Sequence, residues 1–280
     1  MWQPYTETVQ QHTVVGDLQV YKAFYSPQLD NTRDILVWLP PSYATSGRRY
    51  PVIYMHDGQN LFDAYTSNSG EWQTDETLTA LASEEGLEAI IVGLPHMGER
   101  RPIEYSPYDD VWNGAHYQGR GKDYVRFIVE SVKPLIDDSF RTSPEATTTG
   151  IAGASMGGLI SLYAFLTRPD IFGVCASLST AYWFGSSGLL QTIAAHANGQ
   201  GWVWLDVGTH EGTTLEKWYG VTENADLRYV EGVRQLRDAL LARRYTLHET
   251  LMYVEEDGAP HHESAWARRL PNALRFLLAS

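Results

Sequence analysis

The sequence predicts an α/β fold, a doubly wound and mostly parallel sheet with antiparallel strands at its N-terminal edge. Three observations predict it. From residue 50 onward, short apolar runs at 52–55, 89–92, 148–152, 172–176, 202–207 and 250–254 alternate with helix-like segments. The runs are nearly continuous rather than alternating in polarity, which suits strands covered on both faces. Before them, residues 18–25 and 35–39 read as two strands, the second stopped by Pro40-Pro41, and these supply the antiparallel edge. Strands alternating with helices imply right-handed crossovers and helices on both faces.

The helices follow in order. The segment 74–83 opens on Thr74-Asp75-Glu76, a polar and acidic first turn, and Gly86 lies beyond its end. In 122–140, Val125, Ile128, Val132 and Leu135 fall at helical spacing, and Pro134 predicts a kink. Gly119-Arg120-Gly121 before it is read as a cap. Segments 159–166, 227–243 and 264–278 complete the set. No repeat, low-complexity tract or Pro/Gly/Ser linker divides the 280 residues, so residues 1–280 are expected to form one domain.

Composition narrows the function classes. With 21 Lys plus Arg against 34 Asp plus Glu, the formal charge is −13. That balance opposes binding to nucleic acid or to an anionic membrane surface, and the acidity is read as solubility. No apolar run reaches the eighteen or so residues of a membrane span. The start Met1-Trp2-Gln3-Pro4 lacks a basic segment followed by an apolar one, so a cytoplasmic location is expected. Cys175 is the only cysteine, which excludes an intrachain disulfide, and its apolar neighbours mark it as core.

In such sheets ligands bind beyond the carboxyl ends of the strands, and four groups of reactive residues fall there. Gly153-Ala154-Ser155-Met156-Gly157-Gly158 matches G-x-S-x-G between a strand and a helix. The sharp turn lifts the Ser155 hydroxyl into the cleft, small neighbours let strand and helix approach, and the helix N-terminus favours developing negative charge. This is the arrangement of an α/β-hydrolase nucleophile, whose triad runs in the order Ser, Asp or Glu, His. Glu211 lies 56 residues beyond Ser155, after one more helix and strand; Asp206 is the rival acid but falls within a strand. His210 comes too early to be the base and is read as a loop residue.

Gly258-Ala259-Pro260-His261-His262-Glu263 precedes the last helix, and one of its two histidines is the candidate base. Spacing does not choose between His261 and His262. A metal is not expected on them, because adjacent side chains diverge and no H-E-x-x-H or cysteine pair accompanies them. Finally, His56-Asp57-Gly58-Gln59-Asn60 follows the strand at 52–55. The backbone amides of Gln59, which follows a glycine, and of Met156 are the candidate oxyanion hole; His56 and Asp57 are read as braces of the loop.

These residues resemble the “putative esterase” family, which includes esterase D, enterochelin esterases and carbohydrate acyl esterases. The resemblance runs from about residue 33 to 278. It rests on His56-Asp57-Gly58-Gln59-Asn60-Leu61-Phe62, Gly70-Glu71-Trp72, Tyr105-Ser106-Pro107, Ser155-Met156-Gly157-Gly158, Gly208-Thr209-His210-Glu211 and Trp266-Ala267-Arg268-Arg269-Leu270-Pro271. The resemblance implies Glu211 as the acid. A pattern mapping to His261, Glu263 and Trp266 implies His261 as the base, although Ala259-Pro260 stands where many relatives have Gly-Gly. Trp72, Trp183 and Tyr182 are candidates to line an aromatic acyl site, a role weighed evenly against plain core packing for Trp72 and Trp183.

The sequence therefore points to hydrolysis of a small-molecule carboxylic ester through an acyl-enzyme, with Ser155, His261 and Glu211 as triad and no cofactor. The ester classes in view are small acyl, feruloyl or acetyl-sugar, and siderophore-type esters. The rival readings are an acyltransferase on the same residues and a non-catalytic binding protein of this fold.

Overall fold

The computed structural model describes residues 1–112, 114–185 and 187–279. Its strands are β1 (Trp2–Pro4), β2 (Asp17–Ser26), β3 (Asn31–Leu39), β4 (Val52–His56), β5 (Ile90–Leu94), β6 (Asp110–Trp112), β7 (Ala115–Tyr117), β8 (Thr149–Ala154), β9 (Val174–Leu178), β10 (Trp202–His210) and β11 (Leu251–Pro260). The helices are α1 (Thr74–Glu85), α2 (Arg101–Tyr105), α3 (Gly121–Phe127), α4 (Lys133–Ser139), α5 (Met156–Thr167), α6 (Gly188–His196), α7 (Gly212–Tyr219), α8 (Ala225–Leu241) and α9 (Glu263–Leu278).

Nine strands form one sheet in the order β1-β2-β3-β5-β4-β8-β9-β10-β11. The pairings among β1, β2, β3 and β5 are antiparallel. From β5 through β11 every neighbour is parallel. This is the doubly wound α/β-hydrolase architecture, and the outer edge is β1, a three-residue strand too short to carry a polarity pattern.

Each central strand is buried on both faces, as its continuous apolar sequence requires. Tyr54, Val92, Ile151 and Cys175 pack on one side with α3, α5 and α8; Ile53, Met55, Ile91 and Ala176 pack on the other with α1 and α9. Cys175 is fully buried, and burial pushes its thiol well above the ordinary range. The strand read at 172–176 is displaced to Val174–Leu178 because Phe172 still donates back to the Arg168 carbonyl at the end of α5, and Gly173 donates to the Ala146 carbonyl in the turn before β8. His210 is the last residue of β10 rather than a loop residue, since a bulge after Gly208 carries the pairing on to Pro260.

The kink expected at Pro134 takes a specific form. The helix begun by α3 widens to a π-turn over Ile128–Val132 and resumes as α4, with Pro134 in its first turn, where a missing N–H costs little. Helices α6 and α7 and the β6–β7 hairpin were not legible in the sequence.

The sheet's geometry sets the loops. After β4 the chain turns through Asp57, at φ 55°, into a 3₁₀ turn, Gly58–Asn60. A Cβ on Gly58 would sit 2.7 Å from the backbone of Gly93 and of Leu94, at the end of β5. No side-chain rotation relieves a clash with backbone. Gly58→Ala is therefore expected to destabilise the protein by about 1–3 kcal/mol, read as a Tm lowered by several degrees, with turnover reduced because this loop walls the cavity described below. An unchanged Tm with unchanged turnover would contradict the packing account.

Candidate active site

The carboxyl ends of β4, β8, β9, β10 and β11 meet around one cavity of about 480 Å³. Ser155 follows β8 directly and has φ 57° and ψ −121°, a conformation costing a non-glycine residue on the order of 1–3 kcal/mol. The fold holds it there. Its N–H donates to the Leu178 carbonyl at 3.0 Å, and its own carbonyl accepts from Leu159 and Ala181 at 3.1 and 3.0 Å. Met156 opens α5, so its N–H has no intrahelical acceptor, and it lies on the cavity wall.

Glu211 immediately follows β10 and is fully buried. Its Oε2 lies 2.9 Å from His261 Nδ1, and its Oε1 accepts the Gly208 N–H at 2.6 Å. That second bond needs a glycine: a Cβ on Gly208 would lie 2.2 Å from the Ala259 carbonyl oxygen and 2.8 Å from the Glu211 carboxylate. His261 follows β11, with its ring edge-on to Trp266 at 5.0 Å and against Tyr229 at 5.5 Å. Ser155 and His261 both line the cavity. Among the described residues no hydrogen bond joins them, a contact that commonly tightens only when substrate binds.

The rival residues sit differently. His262 is exposed, and its Nδ1 accepts the Ser264 N–H at 3.1 Å as the N-cap of α9. Asp206, buried inside β10, accepts from the Trp204 indole at 2.7 Å and the Ser179 N–H at 3.2 Å, and pairs with Arg269 at 3.2 Å. Burial outweighs the Arg269 charge and pushes Asp206 up to about 6.

On the loop after β4, Asp57 and Asn60 line the cavity, while Gln59 between them does not. The Gln59 side chain instead accepts the His96 N–H at 3.2 Å. Asp57 receives a bidentate bond from Arg101 at 2.7 and 2.8 Å. Burial opposes ionisation of Asp57, but the guanidinium prevails and holds it below the usual carboxylate range. His56, buried behind the loop against the Tyr124 hydroxyl at 2.9 Å, is pushed by burial down to about 3 and stays neutral. Both residues brace the loop.

Trp183 is half-buried on the cavity wall, and Trp72 is almost wholly buried beneath it, 5.7 Å from Trp266. Tyr182 faces away from the wall and donates to the Arg228 carbonyl at 2.7 Å. Among the described residues, the three carboxylates with metal-like spacing, Glu71, Asp75 and Glu76, do not line the cavity.

Sequence reasoning missed Ser179 and Arg269, which both reach the Glu211 carboxylate. Arg269 had a readable signal: it stands on the buried stripe of α9 with Ala265, Trp266, Leu270 and Ala273, where an unpaired charge is not tolerated. Ser179 had none.

The family described as “Putative esterase” matches residues 26–277 of this chain. An uncharacterized protein, YbbA, of Bacillus subtilis (strain 168) is 28% identical over 94% of this chain and 96% of its own length. The iron(III) enterobactin esterase of Escherichia coli (strain K12) is 28% identical over 66% of this chain, a match spanning 44% of that protein. An IroE-like serine hydrolase from Shewanella oneidensis superposes with a TM-score of 0.72 at 21% identity, over 94% of this chain and 80% of that one; this likeness concerns the fold.

Asp206 generates a pH prediction. Its carboxyl is raised from 3.8 to about 6 in the native state, so between those values the native protein binds more protons than the unfolded chain. Stability therefore falls as pH rises through that window, by on the order of 3 kcal/mol, and the cost is present in full above it. Asp206→Asn removes this titration. The Tm of wild type relative to Asp206→Asn should drop steadily from pH 4 to 6.5; a difference independent of pH would contradict the assignment.

Proposed function

Because the chain belongs to the “Putative esterase” family of carboxylic ester hydrolases, we propose that it cleaves small esters through an acyl-enzyme formed on Ser155. The observation that carries this reading is the Glu211–His261 pair at 2.9 Å, whose imidazole lines the same cavity as a serine on a strained strand-to-helix turn.

In the proposed reaction His261 takes the Ser155 hydroxyl proton on Nε2 while Oγ attacks the ester carbonyl carbon. The oxyanion that forms is met by the backbone amide of Met156, at the positive end of α5; the Gln59 amide expected beside it lies off the cavity wall. Glu211 holds the imidazole by Nδ1 and stabilises its positive charge. The tetrahedral species collapses as His261 passes the proton to the departing alkoxide. Water, deprotonated by the same imidazole, then releases the acid. Every step uses groups of this chain, and none requires a cofactor.

The cavity supports a substrate class. Trp183, Phe184 and Trp266 offer an apolar aromatic wall, and Asn68, Thr213 and Thr214 a polar one. Its volume is that of a small-molecule site. Such a lining suits an acyl or aroyl group on a polar alcohol, as in feruloyl or acetylated sugars and siderophore-type esters. The similarity to an enterobactin esterase supports the last of these.

Ser155→Ala is expected to lower kcat by on the order of 10⁶ while the protein stays folded, as loss of a triad nucleophile does. His261→Ala should abolish the acylation burst with p-nitrophenyl acetate, whereas His262→Ala should act on KM or on the stability of α9. Stopped-flow bursts and melting curves on the three variants check this. A dead His262→Ala beside an active His261→Ala would move the base by one residue.

A further inference from the structure

Ser179 opens the turn that follows β9, at φ 43°, and is wholly buried. Every polar atom it has is engaged. Its N–H donates to the Asp206 carbonyl at 3.0 Å, and its carbonyl accepts the Tyr229 hydroxyl at 2.7 Å. The hydroxyl is the informative group. It accepts the Trp266 indole N–H at 2.9 Å and an Arg269 N–H at 2.7 Å, and it approaches Glu211 Oε1 at 2.6 Å.

A serine hydroxyl has two lone pairs and one proton. Trp266 and Arg269 are donors only, so they occupy both lone pairs and leave the proton one destination, Glu211 Oε1. That carboxylate oxygen then holds two short donors, Ser179 Oγ–H and Gly208 N–H. Its partner Oε2 is turned to His261. The Arg269 guanidinium lies 3.7 Å from Oε1, too far for a hydrogen bond, so it acts on the carboxylate through Ser179 as well as through space. Trp266 closes the set, since the indole that donates to Ser179 also packs edge-on to the His261 ring.

We propose that Ser179 is a positioning residue for ester hydrolysis: its saturated hydroxyl fixes which oxygen of Glu211 faces His261. This rests on the triad reading above, in which Glu211 orients the imidazole. Without the hydroxyl, Oε1 keeps one donor, the carboxylate gains freedom about its last torsion, and the imidazole loses its fixed direction. Binding of the ester is untouched, because Ser179 does not line the cavity.

The test is a double-mutant cycle on p-nitrophenyl acetate hydrolysis. Ser179→Ala should lower kcat on the order of 10²-fold, the scale set by a misaligned reacting group, with KM within about twofold. In a Glu211→Gln background the same change should have little further effect, because Ser179 acts through that carboxylate. Ser179→Gly, which suits the positive φ, should match Ser179→Ala and serves if the alanine variant does not fold. An equal loss of kcat in both backgrounds, or a loss confined to KM, would overturn the proposal and leave the triad standing. A Glu211→Gln enzyme at wild-type kcat would instead remove the triad reading, and the proposal with it.

Discussion

The molecule is organised around a charge that has been taken out of water. Glu211 is fully buried, and so is Asp206, five residues before it in β10. One guanidinium, Arg269, is buried with them. A desolvated carboxylate is tolerated only when its oxygens are met by donors or cations, and the structure supplies these from four separate elements. The β10 backbone gives Gly208, the β9 turn gives Ser179, α9 gives Arg269, and the end of β11 gives His261. Satisfying Glu211 thus ties the far strands of the sheet to the last helix. Asp206 bears the remaining cost, and its raised proton affinity is the sign of it.

Ser155 poses a different demand. Its positive φ is maintained by backbone hydrogen bonds to Leu178, Leu159 and Ala181, which tie β8, α5 and the β9 turn together at one residue. The β9 turn serves both sites, since Ser179 and Ala181 lie two residues apart and reach Glu211 and Ser155 respectively. Ser155 and Glu211, the proposed nucleophile and acid, are therefore both held by one short segment of chain, and His261 reaches Glu211 from the end of β11. In the proposed reaction this is the physical sense in which the reactive groups are preorganised.

Much of this was readable in the sequence, for definable reasons. The parallel strands were visible because burial on both faces forces continuous apolar runs. Ser155 was visible because its turn needs small neighbours, and Glu211 because the chain reaches the strand ends in a fixed order; that order left His261 and His262 open, and the family resemblance favoured His261. What was hidden depends on contacts between distant segments. Nothing in Leu178-Ser179-Thr180 marks a serine whose hydroxyl will meet Trp266, Arg269 and Glu211. The pairing of Asp57 with Arg101 joins the loop after β4 to α2 across a crossover. Helix α7 follows Glu211 with a mixed polarity that carries no start signal of its own, and its first N–H is received by Asp226, fourteen residues on. Arg269 was the exception, a charge on an apolar helical stripe that could have been read as a buried ion pair.

The central claim is that the acyl group is carried on one serine. Its most direct measurement is intact-mass and peptide mapping of the protein after reaction with a fluorophosphonate ester. The account predicts a single phosphonyl adduct, located on Ser155, that appears in step with the loss of esterase activity and is absent from Ser155→Ala. Complete inactivation with the adduct on any other residue, or full turnover of p-nitrophenyl acetate by Ser155→Ala, would contradict it.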